Sequence, residues 1–86
     1  MKTIKLSEYN SNMGILIDVR HPLEYAKNHD PRSINIYIDK LIINHNQLLD
    51  KQKTYYIICE KGHLSKRAVN YLSYLGYHVF QVINNW

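Results

Sequence analysis

Tyr55-Tyr56-Ile57-Ile58-Cys59-Glu60-Lys61-Gly62-His63-Leu64-Ser65 is an apolar run that stops at a cysteine and crosses a glycine-containing loop to a serine. The run Tyr55–Cys59 has strand length, and its lack of alternation predicts a strand buried on both faces. Beyond the loop, Ala68, Val69, Leu72 and Leu75 recur at helical spacing and predict an amphipathic helix from Ser65. Ser65 is expected to cap that helix, and Gly76 suits the position just past its end. Strand, short loop and helix in succession form half of a strand–helix–strand unit.

Working outward, Ile15-Leu16-Ile17-Asp18-Val19 is a second continuous apolar run, released by Gly14. It too predicts a buried strand. Thr3–Leu6 predicts a short strand, with Ser7 to Asn12 a helical turn or loop. Pro22 fits the first position of a helix that carries Glu24 in its first turn and runs to about Lys27. His29–Arg32 predicts a turn, and the alternation in Ser33–Ile38 a strand. Asp39 is expected to cap a helix carrying Leu41, Ile42, Ile43, Leu48 and Leu49, with Asn44-His45-Asn46 a possible interruption. Val79–Ile83 completes the set as a last strand. The expectation is therefore one domain over residues 1–86 of α/β class: a doubly wound, mostly parallel sheet of about five strands with helices on both faces. Ligands in such folds bind outside the carboxyl ends of the strands. Three loops meet that description: Arg20–Pro22, Ile38–Leu41 and Cys59–Ser65.

Composition narrows the function classes. At 86 residues the chain has room for one modest core. No apolar run approaches the ~18–20 residues of a membrane span. The opening Met1–Glu8 has basic residues with no apolar stretch behind them, unlike a signal peptide. A lone cysteine excludes an internal disulfide framework, and a reducing cytoplasm is the expected setting. Net charge is +4, but the lysines are scattered, so a solvated basic surface is favoured over a nucleic-acid groove. Most of the eight tyrosines sit in or beside expected core elements, where packing accounts for them better than base stacking. Neither nucleic acid nor membrane is an expected partner.

The loop after Cys59 carries the chemistry. A short glycine-containing connection from a strand end to a helix start turns backbone N–H groups inward, on the positive end of the helix dipole. Sulfur at the edge of such a nest is favoured as thiolate, helped by Lys61 or Arg67. The plain alternative, that Cys59 is a small buried hydrophobe, is outweighed by Gly62, Lys61 and the adjoining helix. His63 fits an exposed loop residue better than a general base. No histidine spacing suits a metal with Cys59, and no cofactor is expected. A cysteine phosphatase loop would need arginine where Ser65 stands, and thioredoxin-type exchange would need a second cysteine where Gly62 stands.

Four segments together resemble the rhodanese domain, the family of single-domain sulfurtransferases. Ile15–Tyr25 (ILIDVRHPLEY) is similar to its Asp-Val-Arg segment with Glu-Tyr following, and His29–Ile36 (HDPRSINI) to its His-x-Pro-x-x-x-Asn-Ile segment. Tyr55–Arg67 (YYIICEKGHLSKR) resembles its active-site strand and Cys-x-x-Gly-x-x-Ser loop, and Tyr71–Val82 (YLSYLGYHVFQV) its closing helix and strand. The resemblance implies that Cys59 takes sulfane sulfur as a persulfide. The donor would be thiosulfate, a persulfide or a polysulfide, and the acceptor a thiol, a cyanide-like nucleophile or a partner protein in a sulfur relay. It also implies that Glu60, Lys61, Gly62, His63, Leu64 and Ser65 form the cradle, mostly through backbone amides. Asp18 and Arg20 are expected to anchor the site from beneath. The chain departs from the family at Glu60, where thiosulfate-using members often carry a basic residue, and at Arg32, where glycine is usual. It departs again at Ile83-Asn84-Asn85-Trp86, in place of a Gly-Gly segment. The alternative function is a non-catalytic rhodanese-like module that binds a protein or senses sulfur.

Overall fold

The computed structural model describes residues 2–84. Five strands form one sheet: β1 (Thr3–Lys5), β2 (Ile15–Asp18), β3 (Ser33–Asn35), β4 (Thr54–Ile58) and β5 (His78–Ile83). Their order is β1-β5-β4-β2-β3 and every pairing is parallel. The helices are α1 (Pro22–Lys27), α2 (Ile38–Ile43), α3 (His45–Leu48) and α4 (His63–Tyr74), with a single 3-10 turn at Leu6–Glu8. The expected α/β fold is present.

Strand alternation divides the core in two. Ile17, Val19, Tyr55, Ile57, Cys59 and Val79 face one way, against Leu41 of α2 and Ala68, Val69 and Leu72 of α4. Leu16, Tyr56, Ile58 and Val82 face the other way, against Tyr9 and the Leu6 side chain of the 3-10 turn. β4 is buried at every position from Tyr55 to Ile58 because it is central and covered on both sides. Each fully buried aliphatic side chain contributes about 1.5–3 kcal/mol relative to exposure, and most of them lie on the α4 side.

Three local expectations need correction. β3 ends at Asn35 and not at Ile38. The Asn35 side-chain amide turns back to donate to the carbonyls of Asp18 and Arg20, at 3.0 and 2.9 Å, and the chain swings into α2. That helix begins at Ile38 with Tyr37 as its cap, so Asp39 lies in the first turn instead of capping it. The interruption falls at Asn44, whose side chain donates to the Lys40 carbonyl and leaves Ile43 and Leu48 exposed. Ser65 is not a cap either: α4 begins two residues earlier, at His63, with Gly62 as the cap. Gly62 has φ 85°, a left-handed conformation that glycine adopts without penalty, and this reverses the chain sooner than a serine cap would. Gly76, also left-handed at φ 97°, follows α4 as expected. Trp86, a candidate cover for an apolar edge or an anchor for a partner, lies outside the described residues. Among those described, no helix is long and apolar enough to cross a membrane.

Candidate active site

Cys59 follows β4 directly, at the carboxyl end of the sheet. It is 2% exposed and packs with the larger core, yet its side forms part of the wall of a pocket of about 320 Å³. The Cys59 loop contributes Glu60, Lys61, His63 and Leu64 to that pocket, and the chain after β2 contributes Arg20 and His21. Glu24 of α1 and Tyr37 complete the wall. Two of the three expected loops therefore meet here. The Ile38–Leu41 segment does not, since Ile38 and Leu41 turn into the core and Tyr37 stands in their place.

The sulfur faces the start of α4. The Ser65 amide donates to Cys59 Sγ at 3.2 Å, and the Ser65 hydroxyl lies 3.3 Å from the same sulfur. The first N–H groups of a helix have no partner within it and carry the positive end of its dipole, so the sulfur meets a locally positive region. Gly62 and Ser65 are not in the pocket wall; one turns the chain and the other is fully buried behind the sulfur. Glu60, Lys61 and His63 are exposed at the rim. Arg67 is turned away and lies 3.9 Å from Asp39 on the outer face of α2 and α4.

Beneath the pocket, Arg20 grips Asp18 through Nε (3.1 Å to each carboxylate oxygen) and an NH2–Oδ2 contact of 2.8 Å. Asp18 is fully buried and Arg20 nearly so. The hydrogen bond that Arg20 donates to Asp18 pushes the guanidinium further above the usual arginine value, with the Glu60 charge adding to it. Arg20 also donates to the Asn28 carbonyl, which fastens the end of α1 to the pocket floor. At the rim, Glu24 is held below the usual carboxylate range by its hydrogen bond from Lys27. His21 accepts from the Leu23 amide and sets its ring edge-on to Tyr37, with centroids 5.4 Å apart.

Sequence reasoning missed Glu24 and Tyr37 as pocket residues, and Gln81 and Asn84 as supports of the loop. The Asn84 side chain donates to the Cys59 carbonyl at 2.6 Å, and Gln81 donates to the Gly62 carbonyl at 3.0 Å. A signal for Gln81 was available: it is the polar residue in the alternate set that Val79 places on the α4 side. Among the described residues, no group of three or more His, Cys, Asp or Glu side chains converges as metal ligands do.

The rhodanese-like domain model matches residues 4–85 of the chain. A rhodanese-related protein from Thermoplasma volcanium superposes with a TM-score of 0.84 at 32% identity, covering 95% of this chain and 83% of that one. A rhodanese-like domain protein from Staphylococcus aureus gives 0.83 at 29% identity, over 95% and 84%. The adenylyltransferase and sulfurtransferase uba4 of Ogataea parapolymorpha is 41% identical over 64 residues. That match takes in 72% of this chain but spans only 16% of the length of the fungal protein. With its buried parallel sheet, its cysteine at the end of the central strand and these likenesses, the chain belongs to the rhodanese-like domain family.

Proposed function

We propose that the protein is a sulfurtransferase that carries sulfane sulfur on Cys59. In the loading step the Cys59 thiolate attacks the outer sulfur of a donor persulfide, R–S–SH. A sulfur–sulfur bond forms to Cys59, the donor's own sulfur–sulfur bond breaks, and RS⁻ leaves. With thiosulfate the leaving group is sulfite. In the unloading step an acceptor thiolate or cyanide attacks the outer sulfur and Cys59 departs as thiolate. The cycle needs no external oxidant or reductant.

The observation that carries this reading is the position of Cys59 Sγ, which receives the Ser65 amide at 3.2 Å while bordering the pocket. An outer sulfur added to Cys59 would extend toward the first amides of α4, those of His63 and Leu64, which lack partners within the helix. Gly62 shapes that turn, while Glu60 and Lys61 flank the approach. Arg20, held by Asp18, fixes the floor. The sulfurtransferase name of the Ogataea relative supports the same reading, and a partner protein that takes the sulfur belongs to it. So does a reducing compartment such as the cytoplasm, where a lone thiol stays free.

Steady-state transfer from thiosulfate and from an organic persulfide to cyanide or a small thiol tests this. Wild type is expected to turn over at least one donor, and Cys59→Ser to fall to the uncatalysed rate with an unchanged thermal midpoint. Equal turnover by both proteins would refute the role of Cys59.

A further inference from the structure

Behind the sulfur lies a buried amide that the transfer chemistry does not use. Gln81 is 5% exposed in β5, on the face turned toward α4. Its Nε2 lies 3.0 Å from the Gly62 carbonyl oxygen and 3.1 Å from Ser65 Oγ. A carbonyl can only accept, so the atom facing Gly62 must be the amide nitrogen, and both of its protons are committed to these two oxygens.

That commitment has a consequence for the sulfur. The Gly62 carbonyl already accepts from the Lys66 amide at 3.0 Å and from Gln81, which fills its two lone pairs. The Ser65 hydroxyl lies 3.3 Å from that carbonyl and 3.3 Å from Cys59 Sγ. With the carbonyl filled, and one hydroxyl lone pair taken by Gln81, the Ser65 proton has Sγ as its open acceptor. A thiolate accepts that proton. A thiol would direct its own proton at Ser65 Oγ and push the hydroxyl proton back to a saturated carbonyl.

We infer that Gln81 is a positioning residue: by filling the Gly62 carbonyl and one lone pair of Ser65 Oγ, it aims the Ser65 hydroxyl proton at Cys59 and favours the thiolate. This rests on the proposal that Cys59 reacts as a thiolate, and it goes further by assigning a role to a residue that never meets the substrate.

Alkylation of Cys59 by iodoacetamide, a neutral probe, followed by intact mass, tests this without any sulfur donor. Other charged or titratable groups bordering the Cys59 pocket are Arg20 (with Asp18), His21, Glu24, Tyr37, Glu60, Lys61 and His63, and none of them is substituted in any variant. Gln81→Met keeps the length and removes the donors. At about pH 6 it should alkylate roughly five- to tenfold more slowly than wild type, and at about pH 9 within about twofold of it. Gln81→Glu, with an acceptor where the donor stood, should fall further at the lower pH. Ser65→Ala should show the same low-pH loss, and adding Gln81→Met to it should change the rate by no more than about twofold. Equal slowing at both pH values, or additive losses in the double variant, would overturn the assignment. If either Gln81 variant does not fold, the other carries the comparison. Normal alkylation ratios with no sulfur loading would sink the transfer reading alone, and the converse would sink only the role of Gln81.

Discussion

The chain contains the same short sentence twice. Asp18-Val19-Arg20 and Asp30-Pro31-Arg32 each place an arginine two residues after an aspartate, and each closes the same fork. The arginine amide donates to Asp Oδ1 at 3.0 Å in the first pair and 2.9 Å in the second. Nε donates to Oδ1 at 3.1 and 2.9 Å, and NH2 to Oδ2 at 2.8 and 2.7 Å. Local geometry therefore does not distinguish them; surroundings do. Asp18 and Arg20 are walled in beneath the cysteine pocket, whereas the Arg32 side chain is 37% exposed. Arg32 also donates through NH1 to the Tyr9 carbonyl at 3.0 Å and lies 4.9 Å from the centre of the Tyr9 ring. It thereby ties the turn before β3 to the minor core. One fork holds the floor of a site, and the other pins a loop.

The largest effect should come from breaking the buried fork. Asp18→Ala removes the main carboxylate partner of the buried Arg20 guanidinium and should cost about 3–5 kcal/mol, read from urea unfolding. A loss below about 1 kcal/mol would show that water reaches the guanidinium and that the two pairs are equivalent.

Asp30→Asn should cost less, about 1 kcal/mol, because its partner is partly solvated. It should also change the acid limb of stability. The hydrogen bond from Arg32 holds Asp30 below the usual carboxylate range in the folded state. Its contribution is therefore complete above the unfolded value of about 3.9 and is lost as pH falls through the lower folded value. The wild-type advantage over Asp30→Asn should shrink as pH drops below about 4. A difference that is flat across that range would contradict the pairing.

The smallest effect belongs to the exposed pair Glu24 and Lys27, in contact at 3.0 Å. Glu24→Gln should leave the thermal midpoint unchanged within error at ordinary salt. A clear drop would mean that α1 leans on this pair as well as on the contact from Arg20 to Asn28.

The contrast also marks what the sequence made legible. The continuous runs through Ile15–Val19 and Tyr55–Cys59 announced buried parallel strands, because only a strand covered on both faces tolerates no polar alternation. Cys59, Gly62 and the stripe through Ala68, Val69 and Leu72 placed the candidate site at the end of the central strand. Local propensity then misled at Ser65. Its hydroxyl looked like a cap, but Gln81 and Cys59 engage it from other elements while Gly62 turns the chain. Asp39 failed in the same way, since burial of the Ile38 side chain drew the cap two residues earlier, to Tyr37. Partners far apart in sequence left little trace: Tyr37 beside His21, Gln81 beneath Ser65, and Asn84 on the Cys59 carbonyl depend on the sheet order. Arg32, which departs from the glycine expected of the family, is accounted for by its contacts with Asp30 and Tyr9.

The central claim is that Cys59 holds the travelling sulfur, and intact-mass spectrometry after a single exposure to a sulfane donor tests it most directly. Wild type should gain one sulfur atom, map it to Cys59, and return to its starting mass when an acceptor thiol is added. Cys59→Ser should gain none. A wild-type protein that stays at its starting mass with both thiosulfate and an organic persulfide, or a Cys59→Ser protein that still takes up sulfur, would contradict the account.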